Sequence, residues 1–348
     1  MTAEAIPKAT IPTVPWTPRS GVQKIMDMLL GVSLGSLVLA AAWEGIRTIV
    51  EQWMGLSMAE ADVVSLLLVL AIAGAVARFV LHLADAVGLS RFSRAERAML
   101  RRLQTAIARQ DIAVVFQPII DTRSRKIVGA EALARWALDG ESVPPTVFIP
   151  LAERAGLIRQ VTRHVTRSAL TAAAYWNSLG YDVPVSINLS AEDLEDLTLP
   201  QWLHDLCVEL GVPESCLRIE LTETQSIRNF ETTASAVARL RAWGAGVHLD
   251  DFGTGYASMS VLQRIPFSGI KIDRDFVVSA RKNNAAASII RASMSIANEL
   301  GLEVVAEGIE DADTTAWLDS IGIHRQQGFH FARPMPPGDF TAFALASA

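Results

Sequence analysis

From Ile112 onward the sequence alternates short β-branched segments with longer helical patterns, and this alternation limits the fold more than any other feature. The strand-like segments are Ala113–Pro118, Lys126–Leu133, Val185–Asn188, Leu217–Leu221, Gly246–Leu249, Gly269–Ile272, Val304–Ala306 and Gln327–Phe331. Helical patterns separate them at Phe148–Ala155, Ile158–Leu179, Gln201–Leu210, Glu231–Trp243, Ala285–Leu300 and Thr314–Ser320. Apolar strands that alternate with helices are typical of a parallel sheet covered by helices. About eight strands in the part of the chain from Ile112 onward predict an α/β fold, the TIM-like (β/α)8 barrel. No strand is followed by the G-x-G-x-x-G turn of a doubly wound sheet.

Most of the predicted strands end in a charged or amide side chain. These residues are Glu131, Asn188, Glu220, Asp250, Asp251, Lys271 and Glu307, and Gln327 opens the last strand. Side chains at the carboxyl ends of parallel strands meet at one face of a barrel, where the active sites of this fold lie. Any single acid could be an exposed strand-end residue or a helix cap, but the whole set at barrel spacing predicts a common site.

The predicted site is strongly acidic. Four carboxylates, an adjacent fifth and an amide at one mouth would repel each other unless cations neutralised them. Oxygen ligands of this kind suit Mg²⁺ or Mn²⁺ rather than zinc. The adjacent Asp250 and Asp251 predict two metal ions, an arrangement that hydrolyses phosphodiesters by in-line displacement. Lys271 fits the stabilisation of a hydroxide or a phosphate oxygen.

Composition excludes several other classes of protein. Half of the 348 residues are hydrophobic, which is enough for a full core and argues against disorder. The 37 acidic and 31 basic residues give a net charge of −6, which is a poor basis for binding duplex nucleic acid. The two cysteines, Cys207 and Cys216, exclude a disulfide scaffold and lack the spacing of a zinc site.

The first 90 residues differ from the rest because they contain two long uncharged runs. Met28–Trp43 and Val63–Ala77 are each shorter than the roughly 18–20 residues that a membrane-spanning helix needs. If the helices continue to about Val50 and Ala84, both reach that length. The runs therefore predict an α-helical transmembrane hairpin, with a helical pair in a soluble bundle as the alternative.

The charges around these runs predict the orientation of the hairpin. Basic residues precede the first run and follow the second, whereas the connector is acidic: Lys8, Arg19 and Lys24, then Glu51, Glu60 and Asp62, then Arg91, Arg94, Arg97, Arg101 and Arg102. This distribution is typical of two helices with both ends in the cytoplasm. We therefore divide the chain into a flexible tail (1–24), the hairpin (25–88), the start of a linker helix (89–102) and the barrel (103–348).

Eight stretches of the barrel sequence resemble the EAL family of cyclic di-GMP phosphodiesterases. They are FQPI at Phe116–Ile119, EALARW at Glu131–Trp136, SINLS at Ser186–Ser190, IELTET at Ile219–Thr224, LDDFGTGYAS at Leu249–Ser258, IKID at Ile270–Asp273, VAEGIE at Val305–Glu310 and QGFHFARPM at Gln327–Met335. The resemblance covers about Leu103–Ala348 and includes the name-giving motif of the family. It implies a hydrolase that opens cyclic di-GMP to linear pGpG in bacterial signalling.

The resemblance also implies roles for the residues at the strand ends. It gives six ligands for two Mg²⁺ or Mn²⁺ ions: Glu131, Asn188, Glu220, Asp250, Asp251 and Glu307. Lys271 resembles the lysine that orients the nucleophilic water. Either Lys271 or Glu307 acts as the general base, and Glu131 completes the catalytic set.

Further residues resemble those that bind substrate or couple the site to dimerisation. Arg135 resembles an arginine that grips a substrate phosphate, a role that suits a planar bidentate donor. The other implied substrate contacts are Gln117, Leu133, Asp273, Gln327 and Pro334. The flexible loop of the family, which couples metal binding to a homodimer through the EAL domain, corresponds to a stretch that includes Phe252, Gly253, Thr254 and Gly255, and Glu223 matches the glutamate that anchors this loop.

Two other functions are compatible with the fold. A catalytically silent receptor would bind cyclic di-GMP and signal through conformation, but silent members of the family usually lack a metal ligand or the loop motif, and both are present here. A membrane scaffold would use the barrel for partner contacts alone. No G-G-D-E-F stretch precedes the barrel, which argues against a second, cyclase activity. With its hairpin in lipid, the chain is expected to be a multi-pass protein of the bacterial cytoplasmic (inner) membrane, with the EAL domain facing the cytoplasm.

Overall fold

A computed structural model describes residues 92–222, 230–253 and 258–346, together with helical positions at Trp43, 45–50, Gln52, Val64, Leu67, Ala71, Gly74 and Arg78. The chain divides into two units, Met1–Arg94 and Ala95–Ala348. All strands of the described residues belong to the second unit.

From Arg94 onward, the described part of the chain contains nine strands and eleven α-helices. The strands are β1 (Ala113–Asp121), β2 (Lys126–Leu138), β3 (Glu141–Val143), β4 (Val185–Asn188), β5 (Leu217–Thr222), β6 (Gly246–Phe252), β7 (Gly269–Ile272), β8 (Glu303–Ala306) and β9 (Arg325–Gln326). The helices are α1 (Arg94–Arg109), α2 (Pro145–Ala155), α3 (Ile158–Ser178), α4 (Ala191–Leu194), α5 (Leu199–Leu210), α6 (Phe230–Ala242), α7 (Ser258–Arg264), α8 (Arg274–Ser279), α9 (Asn284–Leu300), α10 (Ala312–Ser320) and α11 (Pro337–Ala346).

Eight of the strands close into a barrel. Their hydrogen-bonded order is β1-β9-β8-β7-β6-β5-β4-β2, and the pairing of β1 with β2 completes the circle. The short β3 lies outside the circle and pairs with the end of β2. β2 and β4 to β9 run parallel, whereas β1 is antiparallel to both of its neighbours. The predicted eight-stranded barrel is confirmed, but the prediction of an all-parallel sheet is wrong at β1.

The orientation of β1 follows from its connection to β2. Only residues 122–125 separate the two strands, and a parallel crossover needs about a dozen residues. Asp121 holds the turn, because its Oδ1 accepts hydrogen bonds from the backbone N–H groups of Arg123 and Ser124 at 3.0 and 2.9 Å. The chain therefore reverses directly into an antiparallel hairpin.

The last barrel strand lies earlier in the chain than the sequence predicts. It is Arg325–Gln326, and the predicted strand Gln327–Phe331 forms a bend and turns instead. The N–H of Ile309 donates to the Gln327 carbonyl at 3.1 Å, and the N–H of His330 donates to the Ile309 carbonyl at 3.0 Å. Backbone hydrogen bonds with Ile309, rather than a longer β-ladder, therefore fix the conformation of Gln327–Phe331.

Helices surround the barrel much as the sequence predicts. Each of the six helices predicted between the strands is present, and its predicted bounds agree with the observed ones to within three residues at either end. Gly211 and Gly301 end α5 and α9 with φ of 65° and 67°, a left-handed conformation that suits glycine. The short helices α4, α7 and α8 and the C-terminal α11 were not predicted.

An aromatic cluster joins α3 and α11 to the outside of the barrel. The ring of Trp176 lies 5.0 Å from that of Phe116 on β1 and 4.4 Å from that of Phe340 on α11. The Trp176 indole N–H also donates to Thr341 Oγ1 at 2.9 Å. Burial of large aromatic side chains contributes strongly to stability, so the main apolar core lies between the strands and the helices.

Most of the predicted transmembrane hairpin (25–88) and all of the predicted tail (1–24) lie outside the described residues. No helix in the part of the chain that the structure describes is both long enough and apolar enough to cross a membrane. The hairpin therefore stays a prediction.

Gly328→Ala is expected to destabilise the barrel. A Cβ at Gly328 would lie 2.1 Å from the carbonyl oxygen of Ile309. Since backbone cannot move aside as a flexible side chain can, we expect a cost of about 1–3 kcal/mol. Thermal unfolding followed by circular dichroism measures the loss. Gly338→Ala is the matched control, because a Cβ there would meet no atom within 4 Å. Equal melting temperatures for the two variants would contradict the close contact at Ile309.

Candidate active site

The carboxyl ends of the barrel strands bring the predicted polar residues together. Asn188 on β4 is in register with Glu220 on β5, and Thr222 on β5 is in register with Asp250 on β6. Lys271 on β7 pairs with the β8 residue two positions before Glu307. Because alternate residues of a strand point to the same face, this register places one polar side chain after another around the mouth.

The side chain of Lys271 is the centre of the site. It is 1% exposed, and its Nζ donates a hydrogen bond to Glu220 Oε2 at 2.7 Å. The same atom lies 3.5 Å from Asp250 Oδ1 and 3.6 Å from Glu131 Oε2, and it pairs with Glu307. One ammonium group therefore contacts carboxylates from β2, β5 and β6 and one from the residue that directly follows β8.

Amide side chains hold the carboxylate of Glu131. Asn188 Nδ2 donates to Glu131 Oε1 at 3.0 Å, and Gln327 Nε2 donates to Glu131 Oε2 at 2.7 Å. Gln327 Nε2 also donates to Gln117 Oε1 at 3.1 Å, and Gln117 Nε2 donates to the Ala332 carbonyl at 3.2 Å. Both oxygens of Glu131 are thus fixed, one by Asn188 on β4 and the other by Gln327, which directly follows β9.

Burial and crowding change the acidity of these groups. Burial raises the pKa of Glu220 to about 8. The neighbouring carboxylates add to this rise, and the opposing attraction of Lys271 does not cancel it. Burial likewise raises the pKa of Glu307 well above its ordinary value. Burial alone would lower the pKa of Lys271, but the surrounding carboxylates hold it well above its usual value. For Glu131, Lys271 and the amide donors outweigh burial, so its pKa is lowered.

Asp250 and Asp251 both reach the mouth although they are adjacent on one strand. Neighbouring residues of a strand normally point to opposite faces. Asp251 has a φ of 55°, and its backbone N–H donates to Asp250 Oδ1 at 3.0 Å, at a point where the register of β6 with β7 shifts. Burial and then the charges of Asp250 and Asp273 raise the pKa of Asp251 to about 6.

The chemistry of these donors fits divalent cations. Within the residues described, no three His, Cys, Asp or Glu side chains are arranged so that they could hold a metal ion as they stand, since the Lys271 ammonium lies between the acids. Five carboxylates and one ammonium leave four formal negative charges. The buried Glu220 Oε1 has no hydrogen-bond partner among the described residues, although buried polar atoms are normally satisfied. Oxygen donors with excess negative charge match Mg²⁺ or Mn²⁺.

Two cavities flank the carboxylates and share Leu133 as a lining residue. The larger has a volume of about 500 Å³, and its lining includes Arg135, Asn188, Asp250 and Asp251. Residues of α2 and α3, most of them apolar, also line it. The smaller has a volume of about 300 Å³ and includes Gln117, Glu131, Glu307, Gln327 and Phe329. A ligand with two lobes and a charged centre would occupy both.

Comparison with known protein families identifies the family to which this barrel belongs. The sequence profile of the family described as the EAL domain matches residues 100–334, which is more than half of the chain. The chain belongs to the EAL domain family.

Curated relatives of this EAL domain are longer proteins. Cyclic di-GMP phosphodiesterase PdeR of Escherichia coli K12 is 38% identical over 235 residues, which are 67% of this chain and 35% of PdeR. The probable cyclic di-GMP phosphodiesterase PdeB of the same strain is 37% identical over 266 residues, which are 76% of this chain and 51% of PdeB. The chain thus spans about a third to a half of the length of these relatives.

Solved structures share the fold of the EAL domain. The PaMucR phosphodiesterase in complex with c-di-GMP has a TM-score of 0.67 and 32% sequence identity, and the match covers 70% of this chain and 99% of that one. The EAL domain of DcpA from Mycobacterium smegmatis has a TM-score of 0.59 and 29% identity, and covers 68% of this chain and 98% of that one.

Four of the six substrate contacts that the sequence predicts line the two cavities of the EAL domain: Gln117, Leu133, Arg135 and Gln327. Asp273 and Pro334 line neither of the two. Asp273 caps α8 by accepting a hydrogen bond from the N–H of Asp275 at 3.0 Å. Pro334 precedes Met335, whose backbone pairs with that of Phe116 at 2.7 and 2.9 Å. The substrate roles of all six residues stay predictions.

The loop predicted to couple metal binding to dimerisation is described only at its start. Phe252 is buried at the end of β6. Gly253 follows with a φ of 101°, and a Cβ there would lie 3.2 Å from the ring of Phe276. The other three predicted loop residues, Glu223, Thr254 and Gly255, lie outside the described residues. The coupling role of the loop stays a prediction.

Arg274 and Phe329 line the smaller cavity but were not predicted from the sequence. The Arg274 guanidinium pairs with Glu310 at 2.6 Å, and a Cβ at Gly308 would lie 2.1 Å from Arg274 Cγ. The ring of Phe329 is 51% exposed, and the Arg333 guanidinium lies 4.3 Å from its centroid. Gly308, the glycine within VAEGIE, was a local sequence signal that another side chain, here Arg274, packs closely against the backbone.

Lys271→Met should destabilise the EAL domain when divalent cations are absent. The variant keeps an unbranched side chain but removes the ammonium that four carboxylates share. The loss of one partner from a buried ion pair costs about 3–5 kcal/mol. Thermal unfolding in the presence of a chelator measures the loss, and Lys282→Met at an exposed position is the control. Millimolar Mg²⁺ should stabilise Lys271→Met more than the wild-type protein. An equal response of both would argue against a cation site at these carboxylates.

Proposed function

We propose that this chain hydrolyses cyclic di-GMP to linear pGpG and so lowers the concentration of a bacterial second messenger. The observation that carries the proposal is the buried Lys271 ammonium among four carboxylates, with a cavity on either side. Cyclic di-GMP has two guanosine lobes joined by two phosphates, which corresponds to two cavities beside a charged centre. The names of PdeR and PdeB and the ligand of the PaMucR structure support the same substrate.

Two Mg²⁺ or Mn²⁺ ions are part of this proposal. The residues that would hold them are Glu131, Asn188, Glu220, Asp250, Asp251 and Glu307. When bound, such ions activate water and stabilise the charge of the transition state. A pair of divalent ions would also offset the four excess negative charges of the mouth.

Lys271 and Glu307 are assigned different parts of the reaction. Lys271 stays protonated because carboxylates surround it, so it donates hydrogen bonds to the attacking water and to the developing negative charge. Glu307 contacts Lys271 at the mouth, so its carboxylate lies beside the proposed position of the attacking water and can accept a proton from it. We therefore assign the general base to Glu307.

The remaining residues place the substrate. Arg135 offers a planar pair of donors to a phosphate at the larger cavity. Gln117 and Gln327 offer amides at the smaller cavity, where they also hold Glu131. Leu133 provides an apolar surface between the two lobes. Asp273 and Pro334 complete the proposed contacts on the strength of the family resemblance.

A catalytically silent receptor for cyclic di-GMP is the alternative. It would use the same cavities without turnover. All six proposed metal ligands are present at the strand ends around one mouth, which favours turnover over binding alone.

We also propose that the first 90 residues anchor the EAL domain in the cytoplasmic membrane as a two-helix hairpin. The two uncharged runs and the basic–acidic–basic order of their flanks support this. The positions described between Val64 and Arg78 are all helical. Lipid is then a partner of the hairpin, and the EAL domain faces the cytoplasm. A homodimer through the EAL domain is proposed from the family resemblance alone.

Purified protein with cyclic di-GMP and Mg²⁺ or Mn²⁺ should release pGpG, and Glu131→Ala should abolish that release. Glu131 contacts Lys271, Asn188 and Gln327, so its loss removes a ligand and breaks the network. Chromatography of the nucleotides measures the product. Glu209→Gln is the control, since Glu209 is exposed, pairs with Arg167, and lines neither of the two cavities. Cyclic di-GMP binding without pGpG would establish the receptor instead. Unchanged turnover by Glu131→Ala would exclude this site from the chemistry.

The hairpin proposal predicts the location of the protein in fractionated cells. The full chain should sediment with membranes, because two apolar helices hold it there, whereas a chain without residues 1–88 should remain in the supernatant. Immunoblotting of both fractions measures the distribution. Recovery of the full chain in the supernatant would contradict the anchor.

A further inference from the structure

A second polar layer lies inside the barrel, nearer to the amino ends of the parallel strands. Arg218 Nη2 lies 3.2 Å from Glu303 Oε2, and His248 Nε2 lies 3.5 Å from the same oxygen. Arg325 pairs with the other oxygen of Glu303. These residues come from β5, β6, β8 and β9. Glu303 is therefore the shared partner of this layer, as Lys271 is of the layer at the mouth.

Three glycines provide the space for these side chains. A Cβ at Gly129 would lie 3.0 Å from Arg218 Nη1, and one at Gly246 would lie 3.3 Å from Arg218 Cγ. A Cβ at Gly269 would lie 2.7 Å from His248 Nε2. Three strands thus present no side chain where Arg218 and His248 need room.

Stability does not explain a layer of this kind. Barrels of this type are usually filled with Val, Ile and Leu, and apolar replacements for a buried ion pair are often neutral or stabilising. The side chains of Arg218 and His248 are 9% and 2% exposed, whereas those of Glu303 and Arg325 are 32% and 34% exposed. Ser186 Oγ and His248 Nδ1 are also buried and have no hydrogen-bond partner among the residues described, which costs free energy. The buried part of the layer is therefore a candidate for a functional role.

The layer is directly connected to the active site along the strands. Arg218 precedes Glu220 by two residues on β5, so both side chains point into the barrel. The Arg218 guanidinium consequently interacts electrostatically with two carboxylates, those of Glu303 and Glu220. Burial lowers the pKa of Arg218, and the charges of both Glu303 and Glu220 oppose that change.

We propose that Glu303 is a positioning residue that holds Arg218 away from Glu220 and so leaves Glu220 paired with Lys271. The inference rests on the proposed function, in which Glu220 is a metal ligand. If Glu303 loses its charge, Glu220 becomes the carboxylate that attracts Arg218. An Arg218–Glu220 pair would then withdraw Glu220 from Lys271 and from the proposed cations.

The test uses two variants in which the second substitution corrects the first. Glu303→Gln should lower kcat for cyclic di-GMP by about 10–100-fold, the range typical of losing a residue that orients a metal ligand, and leave KM nearly unchanged. Arg218→Met combined with Glu303→Gln should recover most of the loss, because no guanidinium then competes for Glu220. A merely structural layer would give the opposite order, with the double variant less active than the single one.

Stabilisation by Mg²⁺ in thermal unfolding supplies a readout that needs no turnover. The Mg²⁺-dependent rise in melting temperature should shrink in Glu303→Gln and return in the double variant. If the wild-type protein forms no pGpG, the proposed function fails, and this comparison still tests the positioning role. Arg167→Met and Glu209→Gln, which break an exposed ion pair, are the matched controls.

Three outcomes would overturn the proposal. The first is wild-type kinetics and Mg²⁺ response in Glu303→Gln. The second is a double variant that is less active, or less stabilised by Mg²⁺, than the single variant. The third is failure of both variants to fold, because the layer would then be structural.

Discussion

The architecture depends on keeping one buried ammonium group among several carboxylates. Removing Lys271 from water is costly unless carboxylates compensate for the lost hydration. The carboxylates repel one another unless a cation lies between them. Neither side of this arrangement is stable alone, so the strands must deliver both at once. The contacts of 2.7–3.6 Å from Lys271 to Glu131, Glu220 and Asp250 require barrel closure and correct strand register.

This requirement separates a polar barrel interior from an apolar layer between the strands and the surrounding helices. Phe116, Trp176 and Phe340 pack outside the strands, where large aromatic surfaces are buried against helices. The barrel interior contains Lys271 and its carboxylates at the mouth, and the group around Glu303 nearer to the amino ends of the strands. Stability comes mainly from the outer core, which allows the interior to be specified by the chemistry of the site.

The sequence predicted the parts of the fold that depend on local patterns. The alternation of apolar strands and amphipathic helices is visible residue by residue, and polar strand ends such as Glu220 and Asp250 stand out against apolar runs. The reversal of β1 was missed because strand direction depends on the length of the connection, here only residues 122–125. The end of β9 was missed because Gln327–Phe331 alternates like a strand, while the contact of Gly328 with Ile309 that bends it is not local. No local pattern pairs Arg218 with Glu303, which is 85 residues away along the chain.

The excess negative charge at the mouth would link the binding of the proposed cations to the binding of the proposed substrate. Burial and then the neighbouring carboxylates raise the pKa of Glu220 to about 8, so protonation of Glu220 is one way to reduce the repulsion at the mouth. The proposed substrate carries two phosphates and would add negative charge to the same place, so it would bind weakly without cations. Because such coupling is reciprocal, that substrate would raise cation affinity by the factor by which cations raise substrate affinity. Under the proposed function, each ligand of the acidic mouth would therefore strengthen the binding of the other.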